Sequence, residues 1–128
     1  MNALKDSLAK NVKSYRYAGK GILHVLIFEN NFKYQVIAGV LAVTVGYLLN
    51  ISTIEWVVII VMIGLVLMAE MFNTALEKLC DHLHPEEHTA IGLVKDVSAG
   101  AVLIAAIAAA LIGTIIFLPK LLLIIDTL

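Results

Sequence analysis

The chain of 128 residues carries little charge and almost none of the usual stabilising or nucleotide-binding signatures. Charged residues make up 15% of it, well below the roughly one quarter found in soluble domains. Its one cysteine, Cys80, excludes a disulfide within a single chain. No glycine-rich phosphate loop is present, so any nucleotide would have to be held by charge and metal rather than by a backbone cradle. Internal repeats, low-complexity stretches and linkers are missing, which points to one domain over 1–128. A net charge of −1 makes no case for a nucleic-acid partner. A secretory signal peptide is not expected, because the first 30 residues are amphipathic and charged. They lack the short apolar block and small-residue cleavage site of such a peptide.

What the chain does have is hydrophobic residues, 61% of the total, with a mean hydropathy of +0.96. They gather in three runs. The first, over about 34–51, is apolar apart from Gln35, Thr44 and Asn50. The second, over about 56–76, is apolar until Glu70 interrupts it. The third, over about 97–118, holds no charge and ends at Pro119 and Lys120. Each suits a hydrocarbon core of about 30 Å, which takes roughly 17–25 helical residues. Runs this continuous are not the alternating pattern of a barrel, so three transmembrane helices are expected in an all-α integral membrane protein.

Upstream, over about 3–30, Leu4, Leu8, Val12, Tyr15, Ile22 and Leu26 recur at helical spacing. Lys5, Lys10, Lys13, Arg16 and Lys20 fill much of the remainder. This predicts an amphipathic helix lying in the membrane interface; the alternative is a soluble helix packed on a partner. Six of the nine Lys and Arg precede the first span, and the 50–55 loop has none. By the positive-inside rule, the N-terminus and the 78–96 loop face the cytoplasm and Lys120 faces outward. Glu29, Glu77, Asp81, Lys95 and Asp96 then gather on the side where ATP and magnesium are available.

Glu70, Asn73, Glu77 and Asp81 lie at offsets that keep them on one helical face. An ionisable residue within a spanning helix is costly and marks a functional site by default. Seven residues rise about 10.5 Å, so Glu70 lies nearly two turns deeper than Glu77. The outer carboxylate could hold a divalent cation on phosphates, and the inner one could accept a proton from a lipid hydroxyl. Lys95 would supply charge for phosphoryl transfer. The structural alternative is polar glue between helices, for which one Asn would suffice. Cys80, His82, His84 and His88 lie close enough for zinc, yet a loop with Pro85, Glu86 and Glu87 reads as solvated. Small residues such as Gly39, Gly46 and Gly64 suit close helix packing, and Trp56 and Tyr47 suit interfacial anchoring.

The run Glu70-Met-Phe-Asn-Thr-Ala-Leu-Glu77, followed by Asp81, resembles the E-x-x-N-[ST]-A-[IL]-E pattern of the small prokaryotic diacylglycerol kinase family, which includes the undecaprenol kinases. Lys95-Asp96, followed by 99–102, and Glu29-x-x-Phe32 extend the likeness in the right order along nearly the whole chain. The resemblance implies Glu70 as the catalytic base, Asn73 in support, and Glu29 and Glu77 as ligands of Mg²⁺. It implies an ATP site formed by Lys95 and Asp96, with Tyr17, Lys10, Glu29, Glu77, Glu86, Glu87 and His88. Phe32 and Gln35 would join Glu70 at the lipid substrate. It also implies a homotrimer with shared sites, in the bacterial inner membrane, with the active site facing the cytoplasm.

Gln35 stands where the diacylglycerol-using branch tends to be acidic. Lys33 and Val94 replace the usual arginine and alanine. The 51–56 and 115–120 segments look more like the undecaprenol kinase branch. The expected reaction is therefore ATP-dependent conversion of undecaprenol to undecaprenyl phosphate, with diacylglycerol to phosphatidic acid as the alternative. A reading of another class is a non-enzymatic membrane protein whose carboxylates relay protons or ions. Such a pathway should spread ionisable groups through the bilayer depth, whereas the first and third runs have none in their interiors. A purely structural oligomer would leave Glu29, Lys95 and Asp96 without a purpose.

Overall fold

The structure, a computed structural model, describes residues 2–84, 86 and 89–126. Among these the chain is all-helical: α1 (Asn2–Phe28), α2 (Asn30–Leu48), α3 (Thr53–Leu83) and α4 (Thr89–Ile125). Two of the four, α3 and α4, are long and apolar enough to cross a membrane. At 19 residues, and with Asn30, Asn31, Lys33 and Gln35 in its first turns, α2 is the shorter and more polar of the three helices expected to span.

A single residue separates α1 from α2. Glu29 is extended, with φ −105° and ψ 115°, while its N–H still closes the last turn of α1 on the Val25 carbonyl at 2.9 Å. The chain changes direction at that point without a loop. From residue 10 to residue 24, α1 leaves its apolar and basic side chains alike exposed, Tyr15 and Tyr17 among them.

The turn between α2 and α3 is closed by backbone geometry. Asn50 sits at φ 49°, a left-handed conformation that asparagine tolerates better than most residues. Its N–H donates to the Tyr47 carbonyl, and that of Ile51 donates to Gly46 at 3.2 Å. These are the paired bonds of a Schellman ending. Ile51 folds back against Gly46: a Cβ there would meet Ile51 at 3.0 Å and the Trp56 ring at 3.1 Å. Ser52 then caps α3. Its hydroxyl accepts from the Glu55 N–H, and the Glu55 carboxylate accepts from the Ser52 N–H at 2.6 Å. That backbone bond, helped by the Ser52 hydroxyl and Lys120, holds the Glu55 carboxyl below the usual carboxylate range.

The most extensive packing joins α3 to α4, while α2 meets α4 only slightly. The core is small, with Val25, Phe32, Ile51, Ile59, Val66 and Cys80 buried, and α4 has no buried residue. Most long apolar side chains face outward. In water a surface like this would associate, whereas lipid accepts it. Between α2 and α4, floored by α3, an apolar groove of about 580 Å³ extends from Gln35 to Leu121. At its lower end Pro119 lies inside α4, and Lys120 forms an ion pair with Glu55 at 3.2 Å.

Candidate active site

The polar stripe of α3 is most buried where it is deepest. Glu70 is 3% exposed and Asn73 6%, while Glu77 is half-buried and Asp81 exposed. An isolated carboxylate as buried as Glu70 would be strongly disfavoured without a hydrogen-bond partner. Gln35 supplies one, its Nε2 donating to Glu70 Oε2 at 2.9 Å. The close approach of α2 to α3 makes this bond geometrically available. One turn beyond Gln35, a Cβ on Gly39 would stand 3.1 Å from Ile63, seven residues before Glu70 on the same face of α3.

Nearer the end of α3, Asn73 Nδ2 donates to Glu77 Oε1 at 3.0 Å. Two buried oxygens, Gln35 Oε1 and Asn73 Oδ1, have no partner among the described residues. Such atoms are uncommon in native interiors and call for an explanation. Glu29 is drawn to α3 by Lys78, whose Nζ lies 2.7 Å from its carboxylate. This fixes the α1–α2 junction one residue away from Glu77 in the sequence of α3. Lys95 at the start of α4 donates to Asp81 at 2.9 Å. The carboxylate raises the Lys95 amine above its ordinary range, through the hydrogen bond first and Coulomb attraction second.

Among the described residues no group of three or more His, Cys, Asp and Glu side chains forms a metal cage. Magnesium does not require one, since it takes one or two carboxylates together with substrate phosphates. Glu29, Glu77 and the unpartnered Asn73 oxygen are hard donors of the type such an ion takes, with Glu29 already paired to Lys78.

Of the residues singled out by sequence, Gln35 and Glu70 form one pair and Asn73 and Glu77 another. Phe32 is buried at the start of α2, at 4% exposure. Lys10 and Tyr17 are exposed on α1, Asp96 on α4, and Glu86 in the segment before α4. Glu87 and His88 lie outside the described residues. Sequence reasoning passed over Lys78, which holds Glu29, and the Glu55–Lys120 pair. No local signal gives either one. The partners are 49 and 65 residues apart, so only the fold brings them together.

The sequence model of the prokaryotic diacylglycerol kinase family matches residues 16–117. An undecaprenol kinase of Bacillus subtilis (strain 168) is 36% identical over 117 residues, covering 91% of this chain and 95% of the relative. A diacylglycerol kinase of Synechocystis sp. is 37% identical over 110 residues, covering 85% of this chain and 63% of the relative. The diacylglycerol kinase of Escherichia coli (strain K12) is 35% identical over 98 residues, covering 77% and 80%. The chain belongs to the prokaryotic diacylglycerol kinase family. It is accordingly a membrane protein and an enzyme of the lipid kinase class.

Proposed function

We propose that the chain transfers the γ-phosphoryl group of ATP to undecaprenol, giving undecaprenyl phosphate and ADP. One observation carries this reading: a nearly inaccessible carboxylate, Glu70, hydrogen-bonded to Gln35 at the head of an apolar groove. A base placed there serves an alcohol that arrives from the lipid rather than from water. The name and near full-length coverage of the Bacillus subtilis relative support undecaprenol. So does the neutral Gln35, which suits a polyprenol, whose only polar group is a terminal hydroxyl. Diacylglycerol, giving phosphatidic acid, is the second reading, favoured by the names of the Synechocystis and Escherichia coli relatives.

In the proposed reaction the alcohol hydroxyl rests against Glu70 and loses its proton to that carboxylate as its oxygen attacks the γ-phosphorus. The bond to the β-phosphate oxygen breaks, and ADP departs. Asn73 steadies Glu77, and Glu29 and Glu77 are the side chains that would hold Mg²⁺. That ion supplies neutralisation of phosphate charge when bound. Lys95 faces phosphate. Asp96, Tyr17, Lys10, Glu86, Glu87 and His88 complete the nucleotide pocket, and Phe32 supports the lipid end. The exposure of α1 and α4 suits a homotrimer in which neighbouring chains close each site. The active side faces the cytoplasm of a bacterial inner membrane, as the lysine distribution predicts.

The test is purified protein with labelled ATP, magnesium and separate lipid alcohols, followed by resolution of the products. Labelled undecaprenyl phosphate is expected. Label in phosphatidic acid alone would select the second reading, and label in neither lipid would reject both.

A further inference from the structure

We infer that Lys78 is a resident cation of the active site: its ammonium holds the Glu29 carboxylate before the divalent ion arrives, yields it to that ion, and then pairs with nucleotide phosphate. The inference rests on the lipid-kinase reading and adds one residue to its nucleotide site.

Glu29 is placed where a single side-chain contact decides its direction. It is the one extended residue between α1 and α2, and its backbone is committed on both sides. The N–H donates to the Val25 carbonyl at 2.9 Å, and the carbonyl accepts from the Lys33 N–H at 3.3 Å. The side chain is free to turn. The exposed N–H groups at the start of α2 would favour an acidic group beside them. Glu29 nevertheless makes no side-chain bond to that helix end. Its carboxylate points across to α3, where Lys78 Nζ stands 2.7 Å from Oε1.

The two carboxylates proposed for the ion are thus matched differently. Glu77 accepts a hydrogen bond from the neutral Asn73 amide at 3.0 Å, whereas Glu29 carries a full positive charge. Lys78 directly follows Glu77 in α3, so the cation on one ligand is anchored beside the other. Lys95 makes a similar bond, but to Asp81, which is not one of those ligands. The Lys95 bond can persist when an ion binds between Glu29 and Glu77. The Lys78 bond occupies the very group the ion needs.

The pair is built to exchange. The Lys78 side chain is 52% exposed and that of Glu29 27%, and ion pairs in contact with water contribute little to stability. A divalent ion carries twice the charge of an ammonium and attracts the same carboxylate more strongly. Lysine is a compact charge on a flexible stem with rotatable donors. Once displaced, it can turn to a phosphate brought in with the ion, a partner that lysine commonly binds.

The test uses the purified full-length protein in bilayers of zwitterionic lipid. Mn²⁺ is the probe ion, followed by electron paramagnetic resonance without nucleotide. Lys78→Met keeps the stem and removes the charge. It is expected to bind Mn²⁺ about fivefold more tightly, the equivalent of an exposed ion pair that no longer has to open. Its KM for ATP is expected to rise about tenfold, as for a lost bond to a charged group, with a smaller fall in kcat. Lys78→Arg should restore both values toward wild type. Lys78→Gln repeats both measurements, so a folding defect in the Met variant does not decide the result. The control is Lys33→Met. Lys33 lies one turn beyond Glu29 and donates to Asn30 at 3.1 Å, so its loss removes the same charge from the same junction without touching the carboxylate. Its Mn²⁺ affinity should stay within about twofold of wild type. Unchanged or weaker Mn²⁺ binding by Lys78→Met and Lys78→Gln would make Lys78 a clamp on Glu29 and overturn the exchange. An equal gain in Lys33→Met would reduce the effect to overall charge and overturn it as well. Tighter Mn²⁺ binding with an unchanged KM for ATP would overturn the phosphate role. If the wild-type protein phosphorylates no lipid alcohol, the lipid-kinase reading fails instead. The Mn²⁺ titration needs no turnover and reports on Lys78 either way.

Discussion

Glu70→Gln separates catalysis from packing more cleanly than any other single change, because Gln35 can accommodate it. In the wild-type chain Gln35 Nε2 donates to Glu70 Oε2 at 2.9 Å, and Gln35 Oε1 is buried without a partner among the described residues. A carboxamide at position 70 keeps an oxygen to accept the existing bond. It also adds an N–H that can donate to the unpartnered Gln35 oxygen. A net hydrogen bond contributes about 0.5–1.5 kcal/mol, so the variant should be as stable as the parent or more so by about that amount. Catalysis should move the other way. Removing a positioned general base costs about 10²–10⁴ in rate, equivalent to about 2.7–5.5 kcal/mol of activation free energy. The assay pairs thermal melting and oligomer analysis in detergent with kcat for undecaprenol under saturating ATP. A kcat within a few-fold of wild type, together with a lower melting temperature or dissociated subunits, would make Glu70 an element of helix packing and refute its role as base.

Glu77→Gln should lose most activity while the oligomer persists, and chelation should do the same to the wild-type protein; activity surviving both would remove Glu77 from the metal role. Because Asp81 raises the Lys95 amine, the pair's contribution is complete below the ordinary lysine range and is lost as pH climbs through the higher folded value. Lys95 should thus resist acylation at alkaline pH more than Lys13 does. Asp81→Asn should raise its reactivity to the ordinary range, which mass spectrometry of the labelled peptides can follow. Gly46→Ala should destabilise by about 1–3 kcal/mol, since the added methyl would press on Ile51 and the rigid Trp56 ring; chemical denaturation in mild detergent would measure the loss.

Elements governed by local rules were open to reading from sequence. The polar stripe of α3 is one, because residues on one helical face follow from a period of 3.6. The ends of the helices are another matter. Hydropathy marks where the chain meets hydrocarbon, not where its backbone stops being helical. Thus α2 begins at Asn30, among polar residues, and α3 runs on to Leu83 past the apolar run. The break at Glu29 carries no glycine or proline to announce it. Asn30 and Asn31 follow it, and the extended conformation goes with an ion pair to a residue 49 positions away. The family resemblance implied Gln35 and Glu70 at one lipid site, but the hydrogen bond between them depends on the narrow crossing at Gly39, a property of two helices at once.

The length of α4 bears on how the protein sits in bilayers of different thickness. Its 37 residues make a rod of about 55 Å, against a hydrocarbon core of about 30 Å. The uncharged stretch 97–118 accounts for about 33 Å, which a modest tilt accommodates. Including the turns to Ile125 would bring this to about 43 Å, too long for ordinary tilts near 20°. With 97–118 read as the span, the crossing ends at Pro119 and Lys120, and the apolar turns beyond them are expected at the far lipid surface. A thicker bilayer would draw those turns inward and drag the Lys120 charge toward hydrocarbon, while a thinner one would leave leucines in water. Either change loads the helix at Pro119, so hydrophobic mismatch is concentrated at the end of the chain and the polar stripe of α3 is spared.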